Sequence, residues 1–210
     1  EVEKGDVDSG IMIDTIAWQW ETDTVVARIL QKVIASFVTD SDAILGYARI
    51  IDNENLHALT YSEIKRTAFV DPNVIMAKVL ANAAAHARLS EPGKIFEEAR
   101  IAAAKYELGM ITREEALPIA ILFFAALPSL ERAQFMPSFA ITAAYHSVGR
   151  FVAIGNGVQK ICQDEFDVHI PFNKAYFLRC IATPEGQRAF DMVFPRIIKL
   201  LNGINLSERT

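Results

Sequence analysis

The sequence predicts an all-α protein. Apolar residues recur at spacings of three and four through almost all of the 210-residue chain, which is typical of amphipathic helices. Alternating runs rich in Val, Ile and Thr and bounded by hairpin turns, which would indicate strands, are not found. Hydrophobic residues make up 51% of the sequence, enough to bury one sizeable core without disulfides. We therefore expect a single helical domain over residues 1–210.

Capping and helix-breaking residues divide the chain into about seven helices. Thr112 and Glu115 fit a capping box, which marks the start of a helix. Three prolines, Pro118, Pro128 and Pro137, fall within one long apolar segment and are expected to kink or divide it. The predicted breaks lie at Thr39-Asp40-Ser41, Asp71-Pro72, Ser90-Glu91-Pro92-Gly93, Gly109, Gly155-Asn156-Gly157 and Thr183-Pro184.

The charge balance excludes two classes of partner. The net charge is -5, and no run of Lys or Arg offers a surface for nucleic acid or for an anionic membrane. The most apolar stretch, residues 119–127, is about half of the roughly 20 residues that a membrane span needs. The two cysteines, Cys162 and Cys180, lie in one apolar helical region and suit a reducing compartment. We therefore expect a cytoplasmic protein.

Carboxylates embedded in apolar sequence are the informative residues, because an ionised carboxylate is costly to bury unless it is paired or bound to metal. Glu54 and His57 are three residues apart, and Glu165 and His169 are four apart, so each pair projects from one helix face. Two such pairs, with one carboxylate from each of two further helices, form the arrangement that holds a di-iron or di-manganese centre. Asp23 and Glu131 can supply those carboxylates.

Each of these residues also has a simpler interpretation. Glu54 and His57 could lie on a solvated helix face, and Glu131 could pair with Arg132 at the surface. Phe135 and Phe139 could be ordinary core residues. On that interpretation the chain is a metal-free helical interaction protein.

The order and spacing of these residues resemble a known family. Asp23 is followed by Glu-x-x-His-x-x-x-Tyr at 54–61, by Glu-x-x-x-Phe-x-x-x-Phe at 131–139, and by Asp164-Glu165 with His169. This pattern is similar to that of the small subunit of class I ribonucleotide reductase, a ferritin-like di-iron carboxylate protein. The resemblance extends from about Trp18 through the helix that follows Thr183. It implies a ferritin-like helical bundle with a dinuclear metal site in its core.

The resemblance also implies a role for each residue. Asp23, Glu54 and His57 would bind one iron, with Glu54 as the bridge to the other; manganese is the alternative metal. The second iron would be bound by Glu131, Glu165 and His169. Tyr61 corresponds to the residue that stores a radical, and Asp164 to the carboxylate that orients a ligating histidine and conducts an electron. The apolar pocket around the radical would be formed by Phe135, Phe139 and Ile161.

The implied activity is the oxidation of Tyr61 by iron and molecular oxygen. The radical would then pass to a large catalytic subunit that makes deoxyribonucleotides, and the chain would form a homodimer through an apolar helix face. Other ferritin-like oxidases usually have Glu where this chain has Asp23, and they need no tyrosine at position 61. A di-iron oxidase or oxygenase that acts on a small apolar substrate is the alternative function.

The sequence departs from the family in two respects. The family spaces its last Glu and His by three residues, whereas Glu165 and His169 are four apart; either the helix widens by a π-bulge, or Asp167 replaces His169. The family is also longer, with an N-terminal segment and a C-terminal tail that docks to the large subunit. We therefore expect this chain to be the core of a longer protein.

Overall fold

The computed structural model describes residues 6–68, 71, 73, 77, 81 and 83–207. It contains no strand among these residues, so the predicted all-α class is confirmed. Pro72, in one of the predicted breaks, lies outside them. The helices are α1 (Val7–Phe37), α2 (Ser41–Ala68), α3 (Ala83–Glu107), α4 (Arg113–Ser129), α5 (Phe135–Ser147), α6 (Val152–Asp164), α7 (Ile170–Ile181) and α8 (Pro184–Ser207).

Several helices begin where the sequence predicts. The Thr112 hydroxyl accepts a hydrogen bond from the Glu115 backbone N–H, and the Glu115 carboxylate accepts one from the Thr112 N–H at 2.7 Å. The capping box at the start of α4 is therefore confirmed. Asp40 accepts a hydrogen bond from the Ala43 N–H in the first turn of α2, which satisfies a backbone donor that the helix itself leaves unpaired.

Two predicted breaks are wrong. Gly155-Asn156-Gly157 lies inside α6, and Gly155 is required there by packing: a Cβ at this position would lie 2.7 Å from the side chain of His146 on α5. Ser90-Glu91-Pro92-Gly93 lies inside α3. Pro92 removes one backbone hydrogen bond, but the residues that follow it, Ile95 and Phe96, are buried in the core and hold the helix in place.

Two π-helical turns join helices end to end. The first, Leu130–Gln134, connects α4 to α5, and the second, Glu165–His169, connects α6 to α7. In each turn a backbone N–H bonds to a carbonyl five residues earlier. Pro137 lacks the N–H that an α-helix would direct at the Ala133 carbonyl, so the first wide turn falls where the hydrogen-bond ladder is already interrupted. The proline-rich segment is therefore widened rather than broken.

The helices enclose a core around α4. Every residue of 120–127 in α4 is buried, which means that other helices cover this helix on all sides. It contacts α3, α7 and α8, while α1 contacts α2, α3 and α5. The second half of the bundle meets α1 and α2 through α5 and α6, and the two π-helical turns contact each other. This arrangement brings four ligand-bearing segments together.

One part of the described chain, the continuous helical run Arg113–Ser147, is long and apolar enough to cross a membrane by length and composition. This is weak evidence for a span, because the core helix of a soluble protein passes the same test. In this case 56% of the apolar window is buried inside the protein. The run also carries the buried Glu131.

Candidate metal centre

All six residues that the sequence predicts as metal ligands meet in the interior, each at most 3% exposed. They form two overlapping groups, within each of which one candidate ligand atom per residue lies within 4.8 Å of the others. The first group is Asp23, Glu54 and His57, and the second is Glu54, Glu131, Glu165 and His169. Glu54 belongs to both. This grouping matches the one that the family resemblance implies, in which Glu54 is the bridge between two metals.

The two imidazoles point the same ring atom into the cluster. His57 places Nδ1 3.3 Å from Glu165 Oε1 and 3.8 Å from Glu54 Oε2. His169 places Nδ1 3.0 Å from Glu165 Oε2 and 3.4 Å from Glu54 Oε1. Glu54 and Glu165 thus lie between the two rings, whose centroids are 5.5 Å apart. Both histidines could donate the same nitrogen to a metal.

The unusual spacing of Glu165 and His169 is accommodated by the second π-helical turn, which spans those two residues. A π-helical turn contains about one residue more than an α-helical one. Two side chains four apart in it therefore take the relation that side chains three apart have in a regular α-helix. The predicted local widening is confirmed. Asp167, the predicted competitor, is exposed and lies outside both ligand groups.

Glu131 is held from α7 rather than from the surface. Asn173 donates its side-chain N–H to the Glu131 carboxylate, with Nδ2 at 3.1 Å and 3.3 Å from the two oxygens. Arg132, the surface partner that the simpler interpretation offered, lies instead over the ring of Phe166. The interpretation of Glu131 as half of a surface ion pair is therefore wrong, since its side chain is buried.

The cluster fits a cation because several of its buried polar atoms make no hydrogen bond. Asp23 Oδ2, Glu54 Oε2 and His57 Nδ1 are buried and make no hydrogen bond. A buried polar atom without a partner costs free energy comparable to a lost hydrogen bond or more. A divalent cation bound among these atoms would satisfy them and offset the concentration of carboxylates. Hard oxygen donors combined with imidazole are typical of iron or manganese sites.

The pKa values describe the same concentration of charge. Burial, reinforced by repulsion from Glu54 and Glu165, raises the pKa of Asp23 well above its usual range. Burial and then Glu165 do the same for the pKa of Glu131. Burial alone would lower the pKa of each histidine, but Glu165 and Glu54 raise it, to about 10 for His57 and about 11 for His169. In the metal-free protein, protons on the histidines therefore offset the carboxylate charge that metal would otherwise offset.

Comparison with known proteins adds nothing to this description: no protein-family model matches the sequence, and no curated protein matches it significantly. The buried Glu, Asp and His residues could hold a metal ion on their own geometry.

Tyr61 is fully buried on α2, one turn beyond His57, and its hydroxyl has no hydrogen-bond partner. Burial, followed by the charges of Asp23 and Glu165, raises the pKa of its phenol well above the usual range. Three residues predicted to form its pocket are buried in the same hydrophobic core as Tyr61: Phe135, Phe139 and Ile161.

Asp164, predicted to orient a histidine, does contact one. Its Oδ2 lies 3.2 Å from His57 Nε2, on the side of the ring opposite the cluster. Its side chain is 45% exposed, so His57 is linked through Asp164 to solvent.

Sequence reasoning missed the buried side-chain amides, three of which bear on the cluster. Asn53 contacts His169 Nε2, Asn173 contacts Glu131, and Gln19 is fully buried with neither amide atom bonded. A helical-face argument could have found two of them. Asn53 lies one turn before His57, and Gln19 one turn before Asp23, so each shares a face with a predicted ligand.

Proposed function

We propose that this chain is the radical-generating small subunit of a class I ribonucleotide reductase, built on a ferritin-like bundle. One observation carries the proposal: two buried ligand groups that share Glu54 lie beside a fully buried tyrosine with an unpartnered hydroxyl. The first metal would be held by Asp23, Glu54 and His57. The second would be held by Glu131, Glu165 and His169 with the bridging Glu54.

The proposed cofactor is a pair of iron ions, with manganese as the alternative. Bound iron and molecular oxygen would supply the oxidant that removes one electron from Tyr61. The role of the chain's own residues is to accept the phenol proton of Tyr61. The phenol loses its O–H proton with the electron to become a neutral radical, and Asp23 is the carboxylate whose charge acts most strongly on Tyr61. We assign Asp23 as the proton acceptor, through the carboxylate oxygen that would not bind the metal.

A tyrosyl radical persists only where water and reductants are excluded. Tyr61 has no exposed surface, and Phe135 and Phe139 stack on each other in the same core with centroids 5.9 Å apart. Phe135 also packs edge-on against Trp18. This dense aromatic packing supports the storage role of Tyr61.

The radical equivalent would leave the bundle for a large catalytic subunit that reduces ribonucleotides to deoxyribonucleotides. Asp164 supports such a route, because it joins the buried His57 to the surface. The bundle itself would not bind the nucleotide.

We further propose a cytoplasmic homodimer. Cys162 and Cys180 are both free thiols, which suits a reducing compartment. Phe194, Ile198 and Leu201 are exposed on α8 at helical spacing, and an apolar stripe of this kind suits contact with a second copy.

A di-iron oxidase or oxygenase remains the alternative, and one cavity favours it. Between α5 and α6, Phe139, His146, Gly155 and Cys162 help to line a cavity of about 220 Å³. Phe139 belongs to the predicted radical pocket, so a small apolar substrate in this cavity would lie at its boundary. In that enzyme Tyr61 would have no essential part.

The deciding experiment compares wild type with Tyr61→Phe after anaerobic loading with ferrous iron and exposure to oxygen. Iron content should be equal in both proteins, because the substitution removes one unbonded hydroxyl. The electron-spin signal of a tyrosyl radical should occur in wild type only. Tyr47→Phe is the matched control, since Tyr47 is also fully buried with an unpartnered hydroxyl but belongs to neither ligand group.

Two results would contradict the proposal. One is full iron loading of wild type without a tyrosyl signal. The other is a signal that survives in Tyr61→Phe. Substrate oxidation that persists in Tyr61→Phe would support the oxidase.

A further inference from the structure

The two histidines of the centre are anchored by different chemistry. On the face of the ring that points away from the cluster, His57 Nε2 lies 3.2 Å from a carboxylate oxygen of Asp164. His169 Nε2 lies 3.4 Å from Nδ2 of the Asn53 side-chain amide. Asp164 is half-exposed, whereas Asn53 is buried. One imidazole therefore has a charged anchor at the solvent boundary, and the other has a neutral anchor in the interior.

The chemistry of the ring decides which amide atom of Asn53 faces it. A histidine that gives Nδ1 to a metal keeps its proton on Nε2, and a doubly protonated histidine also carries a proton there. In both states His169 Nε2 is a donor and needs an acceptor. The amide nitrogen and oxygen of Asn have nearly the same shape and are assigned from their hydrogen bonds. The contact in the structure is made by Asn53 Nδ2, and a rotation of this amide by about 180°, which the shape of the group permits, would present Oδ1 to the Nε2 proton instead.

We propose that Asn53 is a positioning residue for the second metal position. Its side-chain carbonyl accepts the Nε2 proton of His169 and thereby holds Nδ1 toward Glu54 and Glu165. The inference rests on the proposed function only in requiring a metal at this cluster; it does not require a radical at Tyr61.

The location of Asn53 explains why this anchor is needed. His169 ends a π-helical turn, where the backbone hydrogen-bond pattern changes, so an external contact is needed to fix its ring. Asn53 precedes Glu54 on α2 and lies one turn before His57. A single helix thus supplies the bridging carboxylate, one imidazole ligand and the anchor of the other imidazole.

A neutral anchor also makes the two metal positions unequal. A carboxylate that accepts the imidazole proton increases the basicity of the ligating nitrogen, and an amide carbonyl does so less. His169 is accordingly the weaker electron donor of the two histidines, and the three carboxylates of its group supply more of the charge at that position.

The test uses the full chain loaded with Co²⁺, whose paramagnetism shifts the N–H protons of bound imidazoles out of the crowded proton spectrum. Wild type should show two shifted resonances that disappear in deuterated water, one from His57 Nε2–H and one from His169 Nε2–H. Asp164→Asn identifies the first of them. In Asn53→Ala the second should be lost or should exchange at least about tenfold faster, and the affinity for the second cobalt should fall about 10- to 100-fold.

Two further variants complete the design. Asn53→Asp restores an acceptor at the same place, so it should restore slow exchange of the second resonance. Asn55→Ala is the control: Asn55 is exposed on the same helix and bonds only locally, to the Ile51 carbonyl, so both resonances should stay unchanged.

Persistence of both slow resonances in Asn53→Ala overturns the proposal. If Asn53→Ala does not fold by circular dichroism, Asn53→Asp decides alone, and loss of the second resonance there overturns it. A wild type that binds cobalt without two exchangeable imidazole resonances also overturns it. Two resonances with the expected response to Asn53, in a protein that forms no tyrosyl radical with iron and oxygen, leave this proposal standing and reject the proposed function.

Discussion

The two halves of the ligand set are carried by different kinds of backbone. Asp23, Glu54 and His57 project from the regular helices α1 and α2, whereas Glu131, Glu165 and His169 all lie in π-helical turns. In the first half, spacing along the sequence fixes which side chains share a face. In the second half, one extra residue in each π-helical turn changes which spacings along the sequence place two side chains on the same face. The directions of the candidate ligand side chains therefore depend on whether the backbone is α-helical or π-helical as much as on the order of the residues.

The strongest test of the comparison is Glu54→Ala, because Glu54 is the only residue common to both ligand groups. We expect this variant to lose most of both ions, while Glu131→Ala keeps the group formed by Asp23, Glu54 and His57. Iron content per chain after anaerobic loading measures the difference. Unchanged stoichiometry in both variants would reject the ligand assignment.

The stability of the metal-free Glu131→Ala variant provides a second test of the role of Glu131. Clustered carboxylates repel one another when no cation is bound. Removing Glu131 should therefore raise the free energy of unfolding of the metal-free protein by about 1 kcal/mol, as measured by urea unfolding in the presence of a chelator.

Insertion or deletion of one residue distinguishes the two halves of the candidate ligand set directly. Insertion of one alanine between Asn55 and Leu56 should weaken metal binding strongly, because on a regular helix it rotates His57 and Tyr61 by about 100° about the helix axis. His57 would remain on the same broad face as Glu54 but would lose its position relative to Glu165 and Asp164. Deletion of Val168, an exposed residue of the second π-helical turn, should convert that turn to an α-helical one with His169 still facing the cluster. Its metal affinity should stay within about tenfold of wild type. Titration with Co²⁺ measures the metal affinity of both variants. An equal loss of affinity would mean that the regular helix and the π-helical turn tolerate a change of one residue equally.

The histidine pKa values predict how metal binding depends on pH. In the metal-free fold these values are raised, to about 10 and about 11. The stability contributed by the protonated rings is therefore fully present below their unfolded pKa of about 6.5, and it is lost as pH rises through the folded values.

Metal must displace one proton from each histidine. Apparent affinity should therefore rise at least about tenfold per pH unit for each ion between pH 6 and 8, because Asp23 and Glu131, whose pKa values are also raised, add to the protons released. Calorimetry in buffers of different ionisation enthalpy measures the protons released. Release of fewer than two protons per chain on full loading would contradict the contribution of one or both histidines.

The smallest expected effect comes from Asn173→Leu, which removes the hydrogen bonds to Glu131 with little change of volume. Glu131 would keep its place in the first π-helical turn but lose its orientation, so affinity at its position should fall about tenfold. Asn156→Leu, at an exposed position on α6, serves as the control. Equal affinities for the two variants would show that the turn alone orients Glu131.

The sequence predicted the helical class and the six residues that meet in the buried cluster, because 3.6-residue periodicity and carboxylates embedded in apolar sequence are both visible along a chain. It also predicted the wide turn at Glu165–His169 from a single irregular spacing. It did not predict the turn at Leu130–Gln134, since Glu131 has no partner ligand on its own helix whose spacing would reveal it. Gly155 was wrongly predicted as a break, because only the approach of His146 on α5 explains it. Asn173 contacts Glu131 from a different helix, a relation that periodicity along one helix does not reveal.

The second π-helical turn has a consequence for how such a protein changes over generations. Loss of one codon within residues 165–169 would convert the π-helical turn to an α-helical one, and gain of the codon would reverse the change. The flanking helices would keep their packing, and the His169 imidazole would still face the carboxylate cluster. Any sequence pattern that demands a fixed gap between the last carboxylate and the last histidine would overlook this chain, although Glu165 and His169 still meet in one buried cluster. For proteins of this architecture, a sequence pattern should accept either two or three residues between the last carboxylate and the last histidine.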